Sequence, residues 1–247
     1  MKNSHLIVIP ARNEEACLGQ TLTELLAVLP SHCRIAVGLN ACNDGSRSIC
    51  EGFPVFIGET GVPGYGHGCL AGIEAAAQNG YEPESYVFYA ADGANRPQDA
   101  LKLISEFDKS DGDCRFIMGL RKFSLKTWQQ EFGRSLPNLI LGTVCFFLGG
   151  EFFHDLAPLR LIEARLFREM ELREKVWGWT IEAQLRAAQL GVKIQTVSVV
   201  ERERTAGEQK VSGVSPLRSL KIGLKIAAAG FRTRFGNVSR EQKESAS

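Results

Sequence analysis

The chain has 247 residues, which is enough for one substantial core, as a single domain or as a domain with an appendage. Its hydrophobic content of 44% and charged content of 23% are ordinary for a globular protein, and a formal net charge of +1 gives no reason to expect nucleic acid as a partner. The 7 cysteines form no CxxC pair, which argues against a zinc site or a disulfide framework and favours reduced thiols in a cytoplasmic protein.

Strands and helices are predicted to alternate along the first half of the chain. Apolar runs predict strands at residues 6–9, 34–39, 54–57, 86–89 and 115–118. Helical periodicity between them predicts helices at 14–29, 44–50, 68–78 and 97–107. This alternation is typical of an α/β protein with a mostly parallel sheet and helices on both faces. Such a sheet binds its ligand at the carboxyl ends of the strands.

The second half is predicted to be mainly helical. Helices are expected at 128–148, 163–173, 180–190 and 216–231, with a strand at 192–200 and a disordered polar tail at 239–247. The apolar stretch 136–153 is interrupted by polar residues, so we do not expect it to span a membrane. The N-terminus enters a strand directly, so we expect no signal peptide. Helix 216–231 is basic and amphipathic, and two alternatives stay open: it packs on the domain, or it lies on an anionic membrane surface.

Carboxylates follow two of the predicted strands. Asp92 precedes Gly93 after the strand at 86–89, and Asp44 precedes Gly45 after the strand at 34–39. Asp92 can hold a divalent metal ion that neutralises a diphosphate, and Asp44 can hydrogen-bond a base or ribose. The alternative for both is an aspartate in a turn before glycine.

Residues 64–68 read Gly-Tyr-Gly-His-Gly and lead into a predicted helix. Backbone amides in such a loop can cradle a phosphate, and His67 can contact it. The spacing is neither that of a P-loop nor that of the dinucleotide fingerprint. A flexible loop with an ordinary histidine is therefore the alternative.

Cations and aromatic residues mark the last part of the predicted domain. Arg202, Arg204 and Lys210 follow the strand at 192–200, and basic side chains on a loop suit a phosphate or diphosphate. A solvated charged loop is the alternative. Taken alone, the tryptophans at 177 and 179 predict core aromatics, and Glu182 a surface carboxylate.

Taken in order, these motifs resemble those of family 2 glycosyltransferases. Residues 9–15, Ile-Pro-Ala-Arg-Asn-Glu-Glu, are similar to the opening motif of that family, and Asp92 to the second carboxylate of its Asp-x-Asp motif. The resemblance is narrower to bacterial relatives of dolichyl-phosphate mannose synthase and to polyprenyl-phosphate glycosyltransferases. It implies a GT-A type, Rossmann-like sheet and a catalytic domain at 1–213, followed by a basic amphipathic helix at 214–238 and the tail at 239–247.

The resemblance also implies the site residues. The nucleotide-sugar site is expected to include Pro10, Ala11, Asn13, Glu14, Asn40, Asp44, Gly66, His67 and Asp92. The acceptor or its phosphate is expected to contact Arg121, Arg134, Arg160, Arg202, Arg204 and Lys210. The catalytic residues are expected to be Asp92, Asp155, Glu182 and Arg204. Gly119 and Arg121 are expected to follow the strand at 115–118.

The implied reaction is transfer of a sugar from a UDP- or GDP-sugar, with inversion and with Mg²⁺ or Mn²⁺ at Asp92. A polyprenyl phosphate acceptor is already ionised, whereas a carbohydrate or small-molecule acceptor needs a base, for which Glu182 and Asp155 are candidates. Ala90 replaces the first Asp of Asp-x-Asp, so the metal is bound weakly or the diphosphate relies on Arg and Lys.

Two other classes of function can be compared with the same motifs. Ala90 is also the motive for a non-catalytic relative, a sugar-nucleotide sensor or a membrane-associated scaffold. A nucleotidyltransferase is disfavoured because residues 11–14 read Ala-Arg-Asn-Glu in place of a glycine-rich basic signature. We expect a cytoplasmic enzyme, with peripheral contact at the inner face of the membrane as an open alternative.

Overall fold

The computed structural model describes residues 3–110, 112–122, 158–176, 178–200, 202, 228 and 230–233. The strands are β1 His5–Ala11, β2 Cys33–Asn40, β3 Phe56–Thr60, β4 Ser85–Phe88, β5 Phe116–Lys122, β6 Arg160–Glu163 and β7 Gln195–Val200. The helices are α1 Glu15–Leu26, α2 Ser46–Glu51, α3 Tyr65–Gln78, α4 Pro97–Lys109, α5 Ala164–Glu169 and α6 Trp179–Gln189. Within the described ranges, no helix is both long and apolar enough to cross a membrane.

The strands form one mixed sheet in the order β3-β2-β1-β4-β6-β5-β7. β1 is parallel to β2 and β4, β2 to β3, and β5 to β7. β6 runs antiparallel to both of its neighbours, β4 and β5. The parallel strands therefore end, and β6 begins, at one edge of the sheet, which we call the carboxyl edge. The predicted α/β class with a mostly parallel sheet is confirmed.

Apolar side chains cover both faces of the sheet, because neighbouring residues of a strand point to opposite faces. In β1, Ile7 and Ile9 join the core that contains α1 and α4. Leu6 and Val8 join the core that contains α3, α5 and α6. All four side chains are inaccessible to solvent. The prediction of helices on both faces is therefore also confirmed.

Helix α3 lies unusually close to the sheet because two strand residues beneath it are glycines. A Cβ on Gly38 would lie 1.7 Å from the carbonyl oxygen of Gly68, and one on Gly58 would lie 2.0 Å from that of Ala71. Carbon and oxygen cannot approach so closely, so larger residues in β2 or β3 would push the helix away. The close approach brings the amino end of α3 to the carboxyl edge.

Two segments of the chain differ from prediction. Residues 163–173 were predicted to be one helix, but Arg160–Glu163 form β6 and the helix is Ala164–Glu169. A four-residue strand leading directly into a helix has too few residues to establish a period of two. The strand predicted at 115–118 is Phe116–Lys122, so Gly119 and Arg121 lie within β5, not after it.

Several predicted segments lie outside the described residues. They are the helix at 128–148, most of the basic helix at 216–231 and the tail at 239–247. Residues 228 and 230–233 are helical. Trp177 is also outside the described residues, whereas Trp179 is a core residue, as predicted, with 1% exposure.

Candidate active site

The loops after β1 and β2 are joined to each other at the carboxyl edge. Asn13 adopts a left-handed conformation, with φ of 54°, and its Oδ1 accepts the N–H of Asn43 at 2.9 Å. The N–H of Glu14 donates to Oγ of Ser46 at 2.9 Å. Left-handed backbone at a non-glycine residue is uncommon and is maintained only by such surrounding contacts. Asn13 and Glu14 thus lie in one loop assembly with Asp44, which was predicted to belong to the same nucleotide-sugar site.

The carboxylate of Asp44 accepts the first N–H group of two helices. Its Oδ2 accepts the N–H of Glu15 at 3.1 Å, and its Oδ1 accepts the N–H of Ser46 at 3.1 Å. Partial burial acts to raise the pKa of Asp44, but hydrogen bonds from the Ser46 hydroxyl and from these N–H groups outweigh burial and lower it. An ionised carboxylate is favourable at the amino ends of α1 and α2. The turn interpretation therefore has structural support, while contact with a base or ribose stays a prediction.

Asn40 connects three elements at the end of β2. Its side chain lies in the interior, with 4% of the residue exposed. Its Nδ2 donates to the carbonyl of Ala11 at 2.9 Å, and its Oδ1 accepts the N–H of Gly64 at 3.2 Å. The side-chain amide thus joins the ends of β1 and β2 to the start of α3. Its predicted contact with a base stays a prediction.

The glycine-rich segment begins a helix and does not form a separate loop, because α3 starts at Tyr65. The N–H groups of Gly66 and His67 donate to the carbonyl of Lys175 at 3.0 and 3.3 Å. The interpretation of this segment as a backbone phosphate cradle is therefore wrong for these amides, which already have protein acceptors. A Cβ on Gly66 would lie 2.3 Å from Cε3 of Trp179, so this glycine is required for packing. The ring of His67 is partly exposed and keeps its predicted role as a phosphate contact.

The loop after β4 carries Asp92 and is held in place by Asn95. Oδ1 of Asp92 accepts the N–H of Ala94 at 3.1 Å. Asn95 is 3% exposed, and its Oδ1 accepts the N–H of Ala90 at 3.0 Å. The hydroxyl of Tyr89 donates to the carbonyl of Asn95 at 2.7 Å. Asp92 is thereby presented, partly exposed, from a fixed loop at the carboxyl edge.

The donor set of this loop fits a weakly held divalent cation. Mg²⁺ and Mn²⁺ take oxygen ligands, and Mg²⁺ is commonly held by one or two carboxylates together with substrate phosphates. Asp92 supplies a carboxylate, whereas the methyl group of Ala90 supplies no ligand. Asp92 is therefore the carboxylate of this loop that would hold the ion, together with phosphate oxygens of the ligand.

A second group of possible metal ligands lies at the opposite edge of the sheet. Ligand atoms of His5, His32 and Asp108 lie within 4.8 Å of one another. His5 begins β1, and a strand of seven residues spans about 20 Å, so this group is far from the carboxyl edge. It belongs to a different part of the molecule from Asp92.

Arg202 contacts the Asp92 loop and α1. Its backbone N–H donates to the carbonyl of Ala94 at 2.8 Å. Its Nη2 donates to Oε2 of Glu24 at 2.7 Å and to the carbonyl of Asn95 at 3.0 Å. The guanidinium thus links the end of β7 to α1 and to the loop after β4. The predicted contact of Arg202 with an acceptor phosphate stays a prediction.

Arg160 lies in the interior, contrary to its expected place on an acceptor surface. It is 1% exposed, and its Nη1 donates to the carbonyl of Thr180 at 3.2 Å. Its charge lies close to the Tyr65 hydroxyl and the Cys69 thiol of α3. The assignment of Arg160 to acceptor binding is therefore corrected: the buried guanidinium joins β6 to α6 beside α3.

Glu182 is buried, contrary to the surface position expected for it. It is 2% exposed, and its Oε2 accepts the N–H groups of Arg173 at 2.9 Å and Glu174 at 2.7 Å. Burial raises the pKa of the Glu182 carboxyl, and the two N–H groups offset part of that rise. The predicted role of Glu182 as a catalytic base stays a prediction, now for a buried carboxyl group that already accepts two N–H groups.

The other predicted residues are placed as follows. Pro10 and Ala11 end β1, and Arg121 is partly exposed near the end of β5. Four residues lie outside the described ranges: Arg134, Asp155, Arg204 and Lys210.

Sequence reasoning did not identify several residues that shape the site. Asn95 was detectable in principle, because an asparagine between a strand and a helix-initiating proline is a common turn residue. Lys175 contributes a backbone carbonyl, and the identity of a side chain gives no signal for such a contact. Glu24 lies on the predicted solvent side of a helix, where a carboxylate is common and does not indicate the contact with Arg202.

Comparison with known proteins agrees with this geometry. Residues 6–160 match the family model described as glycosyl transferase family 2. An uncharacterized glycosyltransferase of Mycobacterium tuberculosis is 26% identical over 218 residues, which cover 84% of this chain and 89% of the relative. An undecaprenyl-phosphate mannosyltransferase of Micrococcus luteus is 24% identical over 253 residues, covering 94% of this chain and 98% of the relative.

Solved structures show the same fold. The crystal structure of glucosyl-3-phosphoglycerate synthase from Mycobacterium tuberculosis, in complex with Mn²⁺, UDP and glucosyl-3-phosphoglycerate, superposes with a TM-score of 0.70. The match has 15% sequence identity and covers 94% of this chain and 80% of that one. This likeness establishes the GT-A type fold, and the family match covers more than half of the chain. The chain therefore belongs to glycosyltransferase family 2 and is a transferase.

Proposed function

We propose that the protein transfers a sugar from a nucleoside diphosphate sugar to a polyprenyl phosphate, with inversion at the anomeric carbon. The observation that supports this most strongly is the arrangement of three loops at one edge of the sheet. The assembly containing Asn13 and Asp44 lies after β1 and β2, and the fixed loop with Asp92 follows β4. The proposed catalytic domain is 1–213, with UDP- or GDP-sugars as the donor classes.

The proposed mechanism needs little covalent chemistry from the protein. An oxygen of the acceptor phosphate forms a bond to the anomeric carbon while the bond from that carbon to the diphosphate breaks, and the diphosphate leaves with the electron pair. Asp92 would hold Mg²⁺ or Mn²⁺, which when bound stabilises the charge on the leaving group. His67 and Arg121 would contact phosphate oxygens, together with Arg134, Arg204 and Lys210.

The burial and hydrogen bonds of one candidate base support a phosphate acceptor. An acceptor alcohol needs a residue that removes its proton, whereas a phosphate is already ionised. Glu182, one of the two candidates, is buried and accepts two backbone N–H groups. The Micrococcus luteus relative is named for an undecaprenyl phosphate acceptor. Transfer to a carbohydrate or small molecule is the alternative that the assay below separates.

A lipid acceptor requires access to a membrane surface. The basic segment 216–231 is proposed to meet anionic lipid at the cytoplasmic face. Flotation of the protein with anionic vesicles checks this proposal. Recovery of the protein entirely away from the vesicles would remove it.

The function is tested by incubating the protein with radiolabelled UDP- and GDP-sugars, Mn²⁺ and undecaprenyl phosphate, and counting label in the organic phase. We expect transfer from one donor class and a loss of about 100-fold in Asp92→Ala, the scale expected when stabilisation of a leaving group is removed. Asp113→Ala is the matched control, because Asp113 is an exposed carboxylate before β5, away from the carboxyl edge.

Ala90 motivates a second candidate, a non-catalytic relative that binds sugar nucleotides. That protein would bind a nucleoside diphosphate without transferring or hydrolysing the donor, whichever acceptor is supplied. Ala90→Asp adds a second carboxylate to the loop, and we expect it to tighten Mn²⁺ binding.

Transfer by the unaltered chain to a carbohydrate, with none to the lipid, would contradict the proposed acceptor.

A further inference from the structure

We propose that Glu182 is a positioning residue that holds the amino end of α3 at the carboxyl edge, and that it does not act as a general base. The expected effect on turnover rests on the proposed function. The expected effect on the first turn of α3 does not, because hydrogen exchange of its amides can be measured without substrate. It concerns one segment of backbone, residues 173–175, which precedes α6 in the chain and contacts both α6 and the first turn of α3.

The first contact is between Glu182 and this segment. One carboxylate oxygen, Oε2, accepts both the Arg173 and the Glu174 N–H groups, at 2.9 and 2.7 Å. Hydrogen bonds to a charged acceptor are stronger than neutral ones, and these two N–H groups, which are partly buried, would lose a strong acceptor without Glu182. Glu182 therefore fixes the backbone of Arg173 and Glu174 from the interior.

The second contact passes from the segment to α3. The carbonyl of Lys175, the next residue, accepts the N–H groups of Gly66 and His67. These are two of the first N–H groups of the helix, which have no acceptor within the helix itself. The backbone approaches so closely that a Cβ on Gly66 would lie 2.9 Å from Cα of Lys175. A displacement of this segment must therefore disturb the first turn of α3.

The first turn of α3 connects directly to the candidate site. His67, a predicted phosphate contact, lies in that turn, and Gly64 just before it donates its N–H to Asn40. The chain of contacts runs from Glu182 through Lys175 to Gly66 and His67. Its effect is to set where the side chain of His67 lies relative to the carboxyl edge.

The same geometry argues against a base. A general base must come within hydrogen-bonding distance of the proton that it removes. Glu182 is 2% exposed and already directs Oε2 at two backbone groups. What the position requires is an acceptor oxygen, and glutamine also supplies one.

Glutamine and alanine substitutions separate the two roles. Glu182→Gln keeps an acceptor but cannot take up a proton, whereas Glu182→Ala removes both properties. We expect amide hydrogen exchange of Gly66 and His67, followed by NMR, to be faster by about tenfold or more in Glu182→Ala and within about threefold of the unaltered protein in Glu182→Gln. Glu171→Gln is the matched control, because Glu171 lies in the same loop with its side chain 76% exposed.

Turnover gives a second, independent readout. In the transfer assay, Glu182→Gln is expected to stay within a few-fold of the unaltered enzyme, whereas loss of a base costs about 100-fold or more. This arm remains decisive if Glu182→Ala does not fold. Equal and large losses of turnover in both variants, with exchange at Gly66 and His67 unchanged, would overturn the proposal. Unchanged exchange in a folded Glu182→Ala protein would also overturn it, whereas absence of transfer with every donor and acceptor would count against the proposed function alone.

Discussion

His5 is an ionisable residue at the start of β1 whose surroundings favour the neutral ring. It has no solvent-accessible surface, and its ring nitrogens contact Oγ of Ser85 at 2.8 Å and Oδ1 of Asp108 at 3.2 Å. Burial lowers the pKa of His5, and the carboxylates of Asp108 and Glu84 only partly oppose this, while His32 adds to the lowering. The folded protein therefore binds this proton less readily than the unfolded chain, whose histidine has an ordinary pKa near 6.5.

This difference predicts a loss of stability on acidification. As the pH falls below about 6.5 toward the folded-state pKa, the unfolded chain takes up the proton first, so the free energy of unfolding decreases. Urea denaturation at pH 7.5 and 5.5 should show a smaller decrease in His5→Asn than in the unaltered protein. Gly61→Ala, which changes no ionisable group and places a Cβ where nothing lies within 4 Å, should keep the original decrease. Identical decreases in all three proteins would contradict this account of His5.

Single residues also show how far the sequence predicts the site. Asp92 and Asp44 could be located because each follows an apolar run that is recognisably a strand. The burial of Glu182 could not be predicted, because a carboxylate is usually exposed. The N–H groups that satisfy this one belong to residues eight and nine positions earlier in the chain. The sequence also fails to predict the burial of Arg160, because a charged residue at a strand end is usually exposed, whereas this one is internal and donates to the carbonyl of Thr180 in α6.

At the scale of elements, the approach of α3 to the sheet is what brings its first turn to the site. Gly58→Ala would place a Cβ 2.0 Å from the Ala71 carbonyl oxygen, so β3 and α3 must separate. We expect destabilisation of about 1–3 kcal/mol, which corresponds to a fall in Tm of roughly 2–12 °C for a chain of this size. Gly61→Ala is the matched control, since a Cβ there meets nothing within 4 Å. Thermal unfolding followed by circular dichroism checks both variants, and equal Tm values would contradict the packing account.

The elements differ in how well the sequence predicts them. Strands β1 to β4 and their helices could be predicted because apolar runs and helical periods alternate clearly. β6 could not, because its four residues gain their partners, β4 and β5, from distant parts of the chain. The start of α3 was placed three residues late, because glycine disfavours helix, whereas here the Lys175 carbonyl satisfies the first N–H groups.

At the scale of the whole molecule, the topology gathers the loops at one edge. The reversed strand β6 allows β5 and β7 to run in the same direction as β1, so the end of β7 reaches the loop after β4. Arg202 makes that contact through Ala94 and Asn95. The residue that follows the last described strand thereby supports the loop that carries Asp92. The central claim is that this edge binds a nucleoside diphosphate together with a divalent metal ion.

The most direct test is thermal unfolding of the protein with UDP, GDP, CDP or TDP, each with Mn²⁺ and with EDTA. A ligand that binds only the folded state at 100 times its Kd stabilises that state by about 2.7 kcal/mol, which is several degrees in Tm. We predict such a rise with one nucleotide in Mn²⁺, its loss in EDTA, and its loss in Asp92→Ala. No rise with any nucleotide, or an equal rise in EDTA and in Asp92→Ala, would contradict the claim.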